Sequence, residues 1–86
     1  MKISLWLKDG SVYKNATLAS AQLKVDGQPL DINNLDKIDD AYLYTLGGAQ
    51  IYRNQITGSI QVTLAGVAGN LTISIDQISD LDRVTD

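Results

Sequence analysis

The chain has 86 residues, with ten acidic side chains that are all Asp, seven basic ones and a net charge of −3. A chain this short buries only roughly two thirds of its unfolded surface, so residues 1–86 are expected to form one domain around one core. With no Cys and no His, it has no disulfides, no thiolate metal site and none of the usual bases of nucleophilic triads. The negative balance disfavours a surface that tracks phosphates.

In chain order, Ile3, Leu5 and Leu7 alternate with Ser4, Trp6 and Lys8, the period of a half-buried strand. Asp9-Gly10 suits a tight hairpin turn into a second strand, Val12–Leu18. Ala21, Leu23 and Val25 then alternate with Gln22, Lys24 and Asp26, and a short strand follows near Leu30–Ile32. At Leu35 and Ile38 the spacing changes to three, which predicts a single 3₁₀ or helical turn with Asn33 or Asn34 as cap. Tyr42, Tyr44 and Leu46, the Gly47-Gly48 turn, Ile51–Thr57, then Ile60, Val62 and Leu64 repeat the order. Leu71–Ile75 and the pair Ile78 and Leu81 close it, with Asp76 as the second capping candidate. Long helices are disfavoured by the Gly, Asn, Asp and Thr content. The expected fold is all-β, a small barrel or sandwich of about eight strands.

The recurrence reads as an internal duplication. Residues 3–27 align with 42–66 at an offset of 39, and 30–39 with 73–82 at an offset of 43, the difference being an insertion around Val67–Asn70. The two repeats, 3–39 and 42–82, are expected to be related by a pseudo-two-fold axis, with one short turn each. On this alignment Tyr13-Lys14-Asn15 matches Tyr52-Arg53-Asn54, and Trp6 matches Thr45.

The opening Leu5-Trp6-Leu7-Lys8-Asp9-Gly10-Ser11-Val12-Tyr13 resembles the first hairpin of the small five-stranded Sm-like barrels. The closing Leu71–Val84, with Ile73, Ile75, Ile78 and Leu81, is similar to their strand, 3₁₀ turn, strand ending. The resemblance implies a small barrel; such proteins often bind RNA or form rings. It carries no RNA-binding residue to this chain.

Three groups of residues are candidates for function. Asp36, Asp39 and Asp40, with Asp76, Asp80 and Asp82, suit turns and capping better than catalysis, and their spacing does not match a calcium loop. The triplets Tyr13, Lys14, Asn15 and Tyr52, Arg53, Asn54 combine a stacking face, a charge and an amide, a set suited to a nucleotide or a sugar. In a plainer reading the tyrosines pair across the sheet while the polar side chains solvate its outer face. Trp6 is out of phase with Ile3, Leu5 and Leu7, which makes it an outward anchor for a partner or another copy, or a ring covered by a loop or the C-terminal tail.

The sequence therefore points to a non-enzymatic interaction or assembly module that self-associates, with no cofactor and no metal. Its size suits a small phage or mobile-element protein, a virion component or a host-defence inhibitor. The alternative is ligand or nucleic-acid binding by the two triplets. No secretory signal or membrane-spanning run is recognised, so the expected compartment is the cytoplasm, or a host cytoplasm or virion for a viral protein.

Overall fold

A computed structural model describes residues 1–84. Strand β1 (Lys2–Leu7) turns through Asp9-Gly10 into β2 (Val12–Val25). In that turn Ser11 N–H donates to Asp9 Oδ1 at 2.8 Å and Leu7 N–H to Ser11 O at 2.9 Å. β3 (Gln28–Leu30) leads through a 3₁₀ turn, η1 (Ile32–Asn34), into β4 (Leu35–Ile38). β5 (Tyr42–Thr45) and β6 (Gln50–Tyr52) form a second hairpin, and η2 (Arg53–Gln55) joins β6 to β7 (Ile56–Thr63). The loop 64–69, exposed from Ala65 onward, precedes β8 (Asn70–Ser74), η3 (Ile75–Gln77) and β9 (Ile78–Val84).

The all-β expectation holds, with nine strands where about eight were predicted. The three-apart spacings at Leu35 and Ile38 and at Ile78 and Leu81, read as turns, belong instead to strands β4 and β9, and the 3₁₀ turns lie just before them at Ile32–Asn34 and Ile75–Gln77. A merger and a break alter the other strands. Val12–Leu18 and Ala21–Val25 run together as one long β2, which absorbs the break as a register shift between Leu18 and Ser20 against β7. The Ile51–Thr57 stretch, in contrast, is cut by η2, a third 3₁₀ turn where two were expected. The caps also differ from prediction. Asp31 Oδ1 accepts the Asn33 amide at 2.9 Å, and Ser74 Oγ accepts the Asp76 amide at 3.4 Å. A cap must precede the first residue of the turn, and Asn33, Asn34 and Asp76 lie inside it. Each turn ends on a buried aliphatic residue (Leu35, Ile56 or Ile78) whose N–H returns to the carbonyl of the turn's first residue.

All strands pair antiparallel in one sheet, in the order β6-β5-β4-β9-β1-β2-β7-β8, with β3 beside the far end of β2. β6 stands at one end of this order and β7 near the other, yet only the three residues of η2 separate them. The sheet must therefore curl until β6 comes back to the start of β7, which β8 does not reach, and its inner face closes on one core. Ile3 and Leu5 of β1, Leu35 and Ile38 of β4, Leu43 of β5, Ile60 and Val62 of β7, and Ile78 and Leu81 of β9 are buried there. Between Ala21–Val25 and Ile60–Leu64, Leu23, Ile60 and Val62 are buried, while Ala21, Val25 and Leu64 pack at the margin.

One glycine is dictated by the curl. Gly58 lies opposite Leu23 with φ +118°, and an ideal Cβ there would run into the Gln22 carbonyl and sit 3.0 Å from Leu23 Cα. No L side chain fits that approach.

Candidate interaction face

The outer face of the sheet gathers four of the chain's five aromatic side chains. Residues two apart on a strand share a face, so Tyr42 and Tyr44 of β5 point the same way. Tyr52 lies opposite Tyr42 and Lys37 opposite Tyr44. The Tyr42 and Tyr52 rings are tilted with centroids 5.1 Å apart, and Tyr44 meets Tyr42 edge-on at 6.0 Å. The Lys37 ammonium stands 4.8 Å from the Tyr44 ring centroid, a cation–π distance. Further along, Lys37 faces Asp82 of β9, and Asp80 faces Trp6 of β1.

Trp6 is half-buried and lies opposite Val12 on one side and Asp80 on the other. It lines a cleft of about 260 Å³ together with Lys37, Ile38, Asp39, Asp80 and Asp82. The end of the C-terminal tail, expected as one cover for the ring, lies outside the described residues; Val84 pairs with Lys2, at the opposite end of β1.

Asp39 organises the link from β4 to β5. Its Oδ1 accepts the amides of Ala41 and Tyr42, each at 2.9 Å. Those hydrogen bonds, the Tyr42 amide first, together with the Tyr44 hydroxyl and the Lys37 charge, hold its carboxyl below the usual range. The same contact with Asp39 pushes the Tyr44 phenol up, and the electrostatic effect of Tyr52 followed by its hydrogen bond does so for Tyr42.

The two sequence triplets do not form equivalent patches. Tyr13 is half-buried in β2 opposite Leu5, while Lys14 and Asn15 beside it are exposed. Asn15 takes φ +58°, which Asn tolerates better than most residues, and its N–H donates to Ser4 Oγ at 3.3 Å. Tyr52, exposed, precedes η2, and its amide is accepted by Gln55 Oε1 at 3.1 Å. Tyr13 lies opposite the buried Leu5, whereas Tyr52 lies opposite Tyr42, and it is Ile51 that faces the buried Leu43.

Arg53 is turned inward. Its Nη1 donates to the carbonyls of Asp39 at 2.8 Å and Ser79 at 3.3 Å, and its Nη2 to those of Ile75 at 3.0 Å and Ile78 at 2.6 Å. It fastens η3 and the start of β9 to the end of β4. Arg83 does the same for η1, with Nε donating to Leu35 O at 2.9 Å and Nη2 to Asn33 O at 2.7 Å. Asn54 stays exposed in a neighbouring cleft with Lys8, Asp40 and Asp76. Among the described residues, no three Asp side chains gather closely enough to hold a metal ion.

The sequence reading set Tyr42, Tyr44 and Leu46 in the phase of Ile3, Leu5 and Leu7, but Leu43 is the buried residue of β5 and the two tyrosines face outward; Lys37, beside them, was not singled out. Comparison with protein-family models, with curated proteins and with solved structures finds no match to this chain.

Proposed function

We propose that this chain is a non-enzymatic interaction module that associates with another copy of itself and keeps its aromatic outer face for a partner. The observation that carries the reading is the gathering of Trp6, Tyr42, Tyr44 and Tyr52 on one face of the sheet. Tyr and Trp supply large contact area at low entropic cost and dominate binding hot spots. The alternative reading, ligand capture by the triplets, has less support, because the Arg53 guanidinium is committed to backbone carbonyls.

Self-association fits the sheet edge better than the face. Two copies meeting face to face about a two-fold axis would bring Asp39, Asp80 and Asp82 against their own equivalents. Among the described edges, β3 is three residues long and contains Pro29, and β6 is three residues long and runs straight into η2. β8 is five residues long, Asn-Leu-Thr-Ile-Ser, with neither Pro nor charge, and pairs only with β7. Such an edge is open to a strand from another chain. Thr72 is exposed at its centre. Sedimentation velocity from ten to several hundred micromolar should show a dimer that Thr72→Lys converts to monomer with the fold unchanged. A wild-type monomer throughout that range contradicts the reading.

The same reading includes an ancient duplication. Ala21 faces Ile60, its own counterpart at offset 39, and Ile38 faces Leu81, its counterpart at offset 43. The hydrogen bonds Lys8 N–H to Gln77 O and Leu46 N–H to Asn34 O correspond in the same way, as do Leu7 N–H to Ser11 O and Thr45 N–H to Ala49 O. These bonds support an offset of 38 for the hairpins rather than 39, which makes Tyr44, not Thr45, the counterpart of Trp6.

A further inference from the structure

We propose that the cleft beside Trp6 receives an arginine side chain from a basic segment of a partner protein; this rests on the reading of the outer face as a binding surface. The cleft joins a half-buried indole to three carboxylates, Asp39, Asp80 and Asp82, with Ile38 as its buried apolar floor. Asp80 and Asp82 are two residues apart on β9, so both project on the outer face next to Trp6. Asp39 is held ionised by the Ala41 and Tyr42 amides. The one cation of the lining, Lys37, is directed at the Tyr44 ring. Three carboxylates against one ammonium leave a surplus of two negative charges, most of the chain's net −3.

The chemistry of the lining selects the ligand. A phosphate-bearing ligand is repelled by the carboxylates, and a neutral sugar would stack on the indole without using the surplus charge. The carboxylates do not gather as metal ligands. A guanidinium satisfies both halves of the site. Its flat face stacks on an indole, and its in-plane N–H groups reach carboxylates in a fork that a lysine ammonium lacks.

Trp6 is the chain's single Trp, so its emission reports on the cleft directly. The full chain is titrated at low ionic strength with an acetylated, amidated tetra-arginine peptide and with its tetra-lysine analogue. We expect saturable change in Trp6 emission, with the arginine peptide binding about 5-fold tighter than the lysine one, as planar stacking requires. Asp80→Asn with Asp82→Asn should weaken binding about 10-fold, whereas the charge-matched pair Asp40→Asn with Asp76→Asn should change it less than about 2-fold. Lys37→Met, which removes the competing cation, should tighten it. Three results overturn the proposal: no saturable response, equal weakening by the two double variants, or equal binding of the two peptides. Thr72→Lys abolishes the dimer without touching the cleft, so an unchanged titration in that variant separates this inference from the self-association on which the module reading also draws.

Discussion

Arg53→Met should unfold the protein far more readily than its surface position in the sequence suggests. The guanidinium donates to four carbonyls, three of them at 3.0 Å or less. A hydrogen bond from a charged donor contributes about 1.5–3 kcal/mol net when well buried. Arg53 is only partly buried, so we take about 1 kcal/mol for each of the three short bonds, or about 3 kcal/mol in all. Methionine keeps the aliphatic stem, so the loss isolates the guanidinium. For a domain of this size the change corresponds to a fall in Tm of about 12–24 °C. Urea and thermal unfolding followed by far-UV circular dichroism and Trp6 emission measure it. Lys14→Met, at the position the sequence pairs with Arg53, should shift stability by less than about 0.5 kcal/mol. If Arg53→Met is as mild as Lys14→Met, the carbonyl clamp is not what holds η3 to β4.

Gly58→Ala should cost more than about 4 kcal/mol, the range of steric conflicts that cannot relax, and give little soluble folded protein on expression. A normal melting curve for that variant contradicts the tight approach of β7 to Gln22. The depressed carboxyl of Asp39 contributes stability that is present above the ordinary Asp value and lost as pH falls through its lower folded value. Asp39→Asn should therefore flatten the acid limb of the stability curve, and should bring the Tyr44 phenol back toward its ordinary range in an alkaline absorbance titration. Fragments 1–40 and 41–86 should each be unfolded alone and regain strand signal when mixed, because β4 pairs with β9 and β2 with β7 across the cut. A fragment that folds cooperatively by itself argues against a shared core.

Local chemistry made most of the strands legible. The Ile3, Leu5 alternation and the Asp9-Gly10 turn reflect interactions within a few residues, whereas the three-apart spacing at Leu35 and Ile78 placed each 3₁₀ turn a few residues late, on what are strands β4 and β9. The third turn carried a signal that went unused: Asn54-Gln55-Ile56 has the same amide-or-acid, amide, aliphatic order as Asn33-Asn34-Leu35 and Asp76-Gln77-Ile78. The role of Arg53 was not legible, since its acceptors lie 14 to 26 residues away in the β4–β5 link, η3 and β9. The aromatic face was hidden for a related reason. Tyr42 and Tyr52 meet only in the register of the β5–β6 hairpin, and the offset of 39 read from the sequence set Tyr52 against Tyr13 instead.

Hydrogen exchange resolved by residue, measured at low and at high protein concentration, tests the central claim most directly, because it reads both whether copies associate and where. The amides of β8 that β7 leaves unpaired should become protected as concentration rises, while those of β3 and β6 stay unchanged. Exchange at β8 that is independent of concentration, or protection that grows instead on the strands of the Trp6 face, would contradict the account.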